Sequence, residues 1–121
     1  MTLVSFAWLM LVLIHAAPAA AAFSPRLRQR LYGVKETPTL SIMLAHRGAL
    51  FLAVAAVCGY AAFNVAGRPA AALVAGISVL SYLLIYALSG SPKGALRTVA
   101  IADVIALPPL AYVIADVFAV L

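Results

Sequence analysis

Long apolar runs separated by short polar gaps dominate the chain. Residues 1–25, 48–67 and 69–92 contain no charged side chain. A fourth apolar run extends from about Thr98 to Leu121, and only Asp103 and Asp116 interrupt it. Because a bilayer core about 30 Å thick is crossed by about 20 apolar residues of helix, each run predicts one membrane-spanning helix.

Turn and capping signals set the helix boundaries. Thr37 followed by Pro38 is a helix start signal, and Gly67-Arg68-Pro69 and residues 89–94 have the composition of tight turns. We place the helices near 2–23, 39–66, 70–89 and 97–120. The prediction is an all-α fold, in which residues 1–121 form a single integral membrane domain, a four-transmembrane-helix antiparallel bundle.

The first run has an alternative interpretation as a signal peptide, because the alanine-rich residues 17–22 resemble a small-residue cleavage site. No basic residue precedes Phe23, and the run is long for a signal, so we expect a retained helix. Leu27 and Leu31 lie four apart between arginines, which predicts a short amphipathic segment over 24–33 along the membrane interface.

Composition supports a membrane location. The chain has 67% apolar and 9% charged residues, with a mean hydropathy of +1.16. Soluble domains contain about 25% charged residues, so a water-soluble globule is excluded. Cys58 is the only cysteine, which excludes an intramolecular disulfide, a CxxC redox pair and a cysteine-based zinc site.

The basic residues predict orientation rather than a nucleic-acid partner. With four spans, the gaps at 24–38 and 90–97 lie on one side, and that side, counting Arg47 just inside the second helix, holds seven of the eight Lys and Arg residues. Only Arg68 lies on the other side. The positive-inside rule then places both termini on the non-cytoplasmic side of the cell inner membrane, with anionic lipid as a partner of the basic segments.

Ionisable and polar residues within the spans are the candidate functional residues, because such groups are costly in a membrane. Counted along the helices, the following all fall in the predicted cytoplasmic half: His15, His46, Arg47, Tyr82, Tyr86 and Asp103. Helical phase places His46 and Asn64 on one face, close to Tyr60. We expect each helix to turn one such polar stripe inward. Trp8, near the outer face, is expected to be an aromatic anchor.

Two interpretations of the Asp103 region remain open. Asp103 and Arg47 form a structural ion pair, or Asp103 and His46 handle a proton or bind a polar head group. Pro18 and Pro108-Pro109 free backbone carbonyls beside His15 and Asp103, which suits either a lined cavity or a plain kink. Asp116, near the outer interface, is expected to snorkel into the head-group region.

Haem or metal binding through His15 and His46 is a weaker alternative, since two histidines on different helices can ligate a haem or, with Asp103, form a two-His, one-carboxylate set. No paired-histidine spacing supports either group, so no cofactor or metal is predicted. The chain also lacks a Gly-rich phosphate loop and a nucleophile elbow. Soluble-type nucleotide enzymes and hydrolases are therefore excluded.

Four short motifs carry a family resemblance: His15-x-x-Pro18, Leu31-Tyr32-Gly33, residues 44–51 around His46-Arg47, and Arg97-x-x-x-Ile101-Ala102-Asp103. In these the chain resembles small bacterial four-helix membrane proteins that are loosely DoxX-like and have no established activity. The resemblance implies one shared site of His15, Tyr32, His46, Arg47 and Asp103.

Two other families fit less well. Some of the DoxX-like proteins carry a phosphopantetheine adenylyltransferase label, but this chain lacks the His-x-Gly-His motif of that enzyme. Small multidrug exporters have a similar length and helix number, but they depend on a glutamate in the first helix, where this chain has only His15.

Three functional classes follow from the sequence. The first is a non-catalytic membrane component, either an accessory subunit of a larger complex or a self-associating protein. The second is a binding or transport protein for a lipid, quinone or similar apolar molecule with a polar head. The third is a membrane enzyme acting on such a molecule, with His46 as acid or base and Asp103 orienting it. The expected partners are membrane lipids and other membrane subunits or a second copy, with no nucleic acid.

Overall fold

A computed structural model describes residues 2–119, and within them the fold is entirely helical. Residues 1, 120 and 121, including the last residue of the predicted helix 97–120, lie outside the described part. Short 3-10 turns follow α1 at Ala21–Phe23 and precede α4 at Val65–Gly67. The helices are α1 Leu3–Ala20, α2 Pro25–Tyr32, α3 Pro38–Phe63, α4 Arg68–Leu88 and α5 Ala95–Ala119.

Four segments are long and apolar enough to cross a membrane, which confirms the predicted all-α bundle. They are Leu3–Phe23, Pro38–Phe63, Val65–Leu88 and Ala95–Ala119. Their limits lie within three residues of the predicted bounds, except that the third begins at Val65 rather than 70, where a 3-10 turn precedes α4. The fold therefore defines a small multi-pass helical membrane protein.

The spans form an antiparallel ring. Helix α1 packs against α3 and α5, and α4 packs against the same two helices. The start of α1 meets the end of α3, because the Ser5 hydroxyl donates to the Ala62 carbonyl over 2.7 Å. The end of α4 meets the start of α5, because the Tyr82 hydroxyl donates to the Leu96 carbonyl over 2.9 Å. The end of the bundle that carries α2 and the α4–α5 loop is called the basic end below.

The short helix α2 lies within the segment 24–33, which was predicted to be amphipathic and to lie along the membrane interface. Ser24 caps its N-terminus by accepting from the Leu27 amide, and Gly33 ends it in the left-handed region at φ 63°. The helix packs against α5 and against the end of α1. It therefore closes the basic end of the bundle, which amphipathicity alone does not predict.

The core contains many small residues, which admit one large side chain. Trp8 is completely buried, and its indole N–H has no hydrogen-bond partner among the described residues. The prediction that Trp8 is an interfacial anchor is therefore wrong. Trp8 shares the inward face of α1 with Leu11, and alanines such as Ala61 and Ala75 on neighbouring helices leave room for the ring.

At the end opposite α2, Arg68 joins two helices. Its Nε donates to the Ala61 carbonyl at the end of α3 over 2.9 Å. Its Nη1 lies 4.0 Å from the Asp116 carboxylate of α5. Asp116 is thus half-buried beside a cation rather than free in the head-group region. Cations near the last carbonyls of a helix are favourable, which gives Arg68 a structural role here.

Candidate functional site

The basic end of the bundle brings together one predicted residue from each of the five helices. These are His15, Tyr32, Arg47, Tyr82 and Asp103. They surround a small cavity and an adjoining groove, which share Phe51 as a common wall. The prediction that polar residues of several helices gather at this end is met for these five side chains, and not for the other two candidates, His46 and Tyr86.

His15 is 1% exposed and engages both ring nitrogens. Its Nδ1 lies 2.8 Å from the Leu11 carbonyl, which can only accept, so Nδ1 carries a proton. In the neutral ring Nε2 is then the acceptor, and the Ser78 hydroxyl donates to it over 3.1 Å. The Phe51 ring stands 5.7 Å from the imidazole, centroid to centroid. His15 thus ties α1 to α4 and has no lone pair left over in this arrangement.

His46 does not join this site. Its side chain is exposed on the outside of α3, as are those of Tyr60 and Asn64 on the same face. The expectation that this stripe turns inward is wrong. Helix α3 instead buries a face of small and medium residues, including Gly48 and Cys58, because that face packs closely against α1.

Separation of the two histidines bears on metal binding. The haem and metal alternatives require His15 and His46 to approach a common centre, and His46 is not among the residues lining the cavity. Within residues 2–119, no group of three or more His, Cys, Asp or Glu side chains is arranged to hold a metal ion. His15 and His46 are therefore not placed to ligate one haem or metal ion together.

The Arg47 guanidinium is held by aromatic rings. Its Nε donates to the Tyr32 hydroxyl over 3.2 Å. Its central carbon lies 4.8 Å from the centre of the Phe51 ring, 5.5 Å from that of Tyr82 and 5.8 Å from that of Tyr32. Such contacts stabilise a cation in an environment of low polarity.

The predicted ion pair between Arg47 and Asp103 is not formed. Among residues 2–119, no Arg47 nitrogen lies within 4.0 Å of the Asp103 carboxylate, and the ion pairs present are Arg28–Glu36 and Arg68–Asp116. The aromatic rings and the Tyr32 hydroxyl position the guanidinium instead, so Arg47 and Asp103 remain separate.

Asp103 lines a cavity of about 110 Å³ between the helices. The residue as a whole is only 9% exposed, and its side chain makes no hydrogen bond to any residue of the described range. The hydroxyl-bearing residues Tyr32 and Thr98 line the same cavity, as does Ile14, whose carbonyl loses its helical donor to Pro18. The cavity therefore places a buried acid among hydroxyl groups, which can donate as well as accept.

An apolar groove of about 560 Å³ opens beside the cavity, between α3 and α4. Arg47 and Tyr82 form its polar end, and the Ser78 hydroxyl that serves His15 lies along it. Its remaining walls are mainly aliphatic: Leu50, Ala53, Val54, Val74, Ile77 and Ile85. The groove is thus largely apolar, with one cation at its end.

Tyr82 and Tyr86 stack with ring centres 6.1 Å apart, but they serve different purposes. Tyr82 presents its ring to Arg47. The Tyr86 hydroxyl donates to the Pro92 carbonyl over 2.6 Å and lines neither the cavity nor the groove. Tyr86 therefore stabilises the α4–α5 loop rather than contributing to the site.

Sequence reasoning missed Arg28, because it did not separate this residue from the other arginines of the gap at 24–38. Arg28 is 4% exposed, whereas Arg26 and Arg30 are exposed. Its spacing of four from buried Tyr32 is the signal that could have found it, because residues four apart share a helix face. The role of Phe51 as a wall of the site was also missed, because no pattern in the sequence separates it from other apolar residues of its helix.

Comparison with known proteins adds no relative. No protein-family model matches the chain, and neither a curated protein nor a solved structure matches it.

Proposed function

We propose that this protein binds a membrane amphiphile that has an apolar chain and a phosphate or carboxylate head group. The observation that carries the proposal is the position of Arg47 at the polar end of the α3–α4 groove. Only its Nε donates to the protein among the described residues, which leaves both terminal nitrogens for a ligand. A guanidinium with two parallel donors matches a carboxylate or phosphate well.

The surroundings of Arg47 favour a membrane ligand over a soluble one. Arg47 lies nine residues after Pro38, about 14 Å along α3, and its groove faces the surface that apolar lipid chains cover. An unpaired cation at such depth is costly, so an anion that arrives with its own apolar chain stabilises it. Because both His15 nitrogens are already bonded, the arrangement favours binding over proton transfer.

Retention of phospholipid by Arg47→Gln tests the proposal, with Arg97→Gln as the matched control because Arg97 is exposed outside the groove. Native mass spectrometry of protein extracted in mild detergent should show one bound phospholipid on the wild type and on the control. Arg47→Gln should lose it. Equal retention by all three proteins would overturn the proposal.

A second candidate, a subunit of a larger membrane assembly, is favoured by the exposed polar stripe of α3. His46 and Tyr60 lie about 21 Å apart along one outward face. Polar side chains on such a face can bond to a partner helix. The same spectra test this candidate, because a stoichiometric larger protein that dissociates in His46→Ala would identify the stripe as an interface.

For location, we propose the bacterial inner membrane with the basic end in the cytoplasm. The support is the asymmetry of charge, since seven of the eight Lys and Arg residues lie at the basic end. Gln29→Cys and Ala66→Cys place exposed thiols at opposite ends, while Cys58 is buried. A membrane-impermeant thiol reagent applied to whole cells should label Ala66→Cys and spare Gln29→Cys, and the reverse pattern would contradict the orientation.

A further inference from the structure

The Asp103 cavity is a second polar feature that the binding of an anionic head group at Arg47 does not use. Asp103 is 9% exposed as a whole residue and lines the cavity, and its carboxylate has no hydrogen-bond partner in the described part of the chain. A buried carboxylate without a partner is strongly unfavourable. An unmet acceptor of this kind points to an occupant that supplies donors.

The groups around Asp103 do not satisfy it. His15 donates to Leu11, and its other nitrogen accepts from Ser78. The Tyr32 hydroxyl accepts from Arg47 and lies beyond hydrogen-bond distance of the carboxylate. The nearest cation, Arg47, lies beyond ion-pair distance. A cavity of about 110 Å³ separates these groups, which is room for a few water molecules or a small head group.

We propose that this cavity binds a primary ammonium group, with Asp103 as its counter-ion. An ammonium carries three donors, and the residues lining the cavity offer acceptors in the Asp103 carboxylate and the Tyr32 and Thr98 hydroxyls, beside Ile14, whose carbonyl lacks a helical donor because of Pro18. A quaternary ammonium has no N–H and leaves these acceptors unbonded. A metal ion is disfavoured, because no second carboxylate or free imidazole lies among the lining residues.

The ammonium group has two sources, a free small amine or the ethanolamine head of a phospholipid. The cavity and the groove adjoin at Phe51, so the ethanolamine source requires a head group whose phosphate meets Arg47 while its amine passes Phe51 to Asp103. The ethanolamine source rests on the proposed function, whereas the free amine does not.

Thermal unfolding of delipidated protein in neutral detergent tests the ammonium site directly. Methylammonium chloride should raise the melting temperature of the wild type above that in equal concentrations of tetramethylammonium chloride or sodium chloride. Asp103→Asn should abolish the difference, whereas Asp116→Asn, which alters an acid outside the cavity, should keep it. Equal responses to the three salts in the wild type would overturn the proposal, and this comparison needs no variant to fold.

A second experiment separates the two sources. Native mass spectrometry should show wild-type protein binding phosphatidylethanolamine about tenfold more tightly than phosphatidylcholine, with the preference lost in Asp103→Asn, because one charge-assisted set of hydrogen bonds distinguishes the heads. Arg47-dependent binding without this preference, combined with a methylammonium response, supports a free amine. If the wild type shows neither the lipid preference nor the methylammonium response, the ammonium site is overturned and the Arg47 proposal still stands. Phospholipid retention by Arg47→Gln overturns the proposed function, while the methylammonium result still decides the cavity.

Discussion

The Arg28 guanidinium is paired side-on with the Glu36 carboxylate, with Nε 2.6 Å from Oε1 and Nη2 3.3 Å from Oε2. The remaining donors of Arg28 reach the Ala21 carbonyl at 2.9 Å and the Ser41 hydroxyl at 3.2 Å. One buried side chain therefore joins the end of α1, the α2–α3 loop and the start of α3. It closes the basic end next to Tyr32, which positions Arg47.

Replacement of Arg28 by alanine should destabilise the bundle. The change leaves the Ala21 and Ala22 carbonyls and the Glu36 carboxylate without their donor, so we expect the free energy of unfolding to fall by about 1–3 kcal/mol. Arg26→Ala, at an exposed position of the same helix, should have almost no effect. Titration with SDS of each variant in dodecyl maltoside micelles measures the change in its free energy of unfolding. Equal effects of the two substitutions would contradict the role of Arg28.

The Arg28–Glu36 pair should make stability depend on acid pH. The hydrogen bond from Arg28 holds the pKa of Glu36 below its ordinary value of 4.5. A lowered pKa of an acid means that the stabilisation is complete above the ordinary pKa and disappears as the pH falls through the folded-state value. The difference in melting temperature between wild type and Glu36→Gln should therefore be constant at neutral pH and shrink below about pH 4.5. A difference that persists unchanged into stronger acid would contradict the pairing.

Two glycines of α3 should respond oppositely to alanine. At Gly48 a Cβ atom would lie 2.6 Å from the backbone nitrogen of Ala22, so Gly48→Ala must push α3 away from the 3-10 turn that follows α1, at a cost of about 1–3 kcal/mol. At Gly59 the nearest atom would be Cγ2 of Val12 at 3.8 Å, an ordinary contact. Gly59→Ala should therefore stabilise the helix by up to about 1 kcal/mol. The same unfolding assay compares them, and a neutral Gly48→Ala would refute the close approach.

The His15–Ser78 hydrogen bond should contribute measurably to the association of α1 with α4. Ser78→Ala removes the donor to Nε2, and interhelical hydrogen bonds in membranes contribute about 0.6 kcal/mol on average. Ser81→Ala is the control, because Ser81 is exposed and bonds only to a carbonyl of its own helix. Nitrogen-15 NMR of His15 should report the proton on Nδ1. A neutral ring protonated on Nε2 would contradict the assignment.

The site was only partly accessible from the sequence. The shared depth of His15, Arg47 and Asp103 was readable by counting along the spans, and these three residues do gather at one end. That Arg47 does not pair with Asp103 was not readable, because aromatic rings from three different helices position its guanidinium instead. Phe51, which separates the cavity from the groove, is an ordinary apolar residue in the sequence.

The sequence by itself determined the four spans, their limits and the basic end, since partition into a membrane depends on local composition and length. Only the tertiary structure decided how each helix is rotated, which placed Trp8 inside, His46 outside and Arg28 in a buried pair. The reason is physical. Lipid chains and a protein core are equally apolar, so hydrophobicity does not select the inward face of such a helix. The inward face is instead determined by the fit of small residues between helices and by the hydrogen bonds that form once the chain is folded.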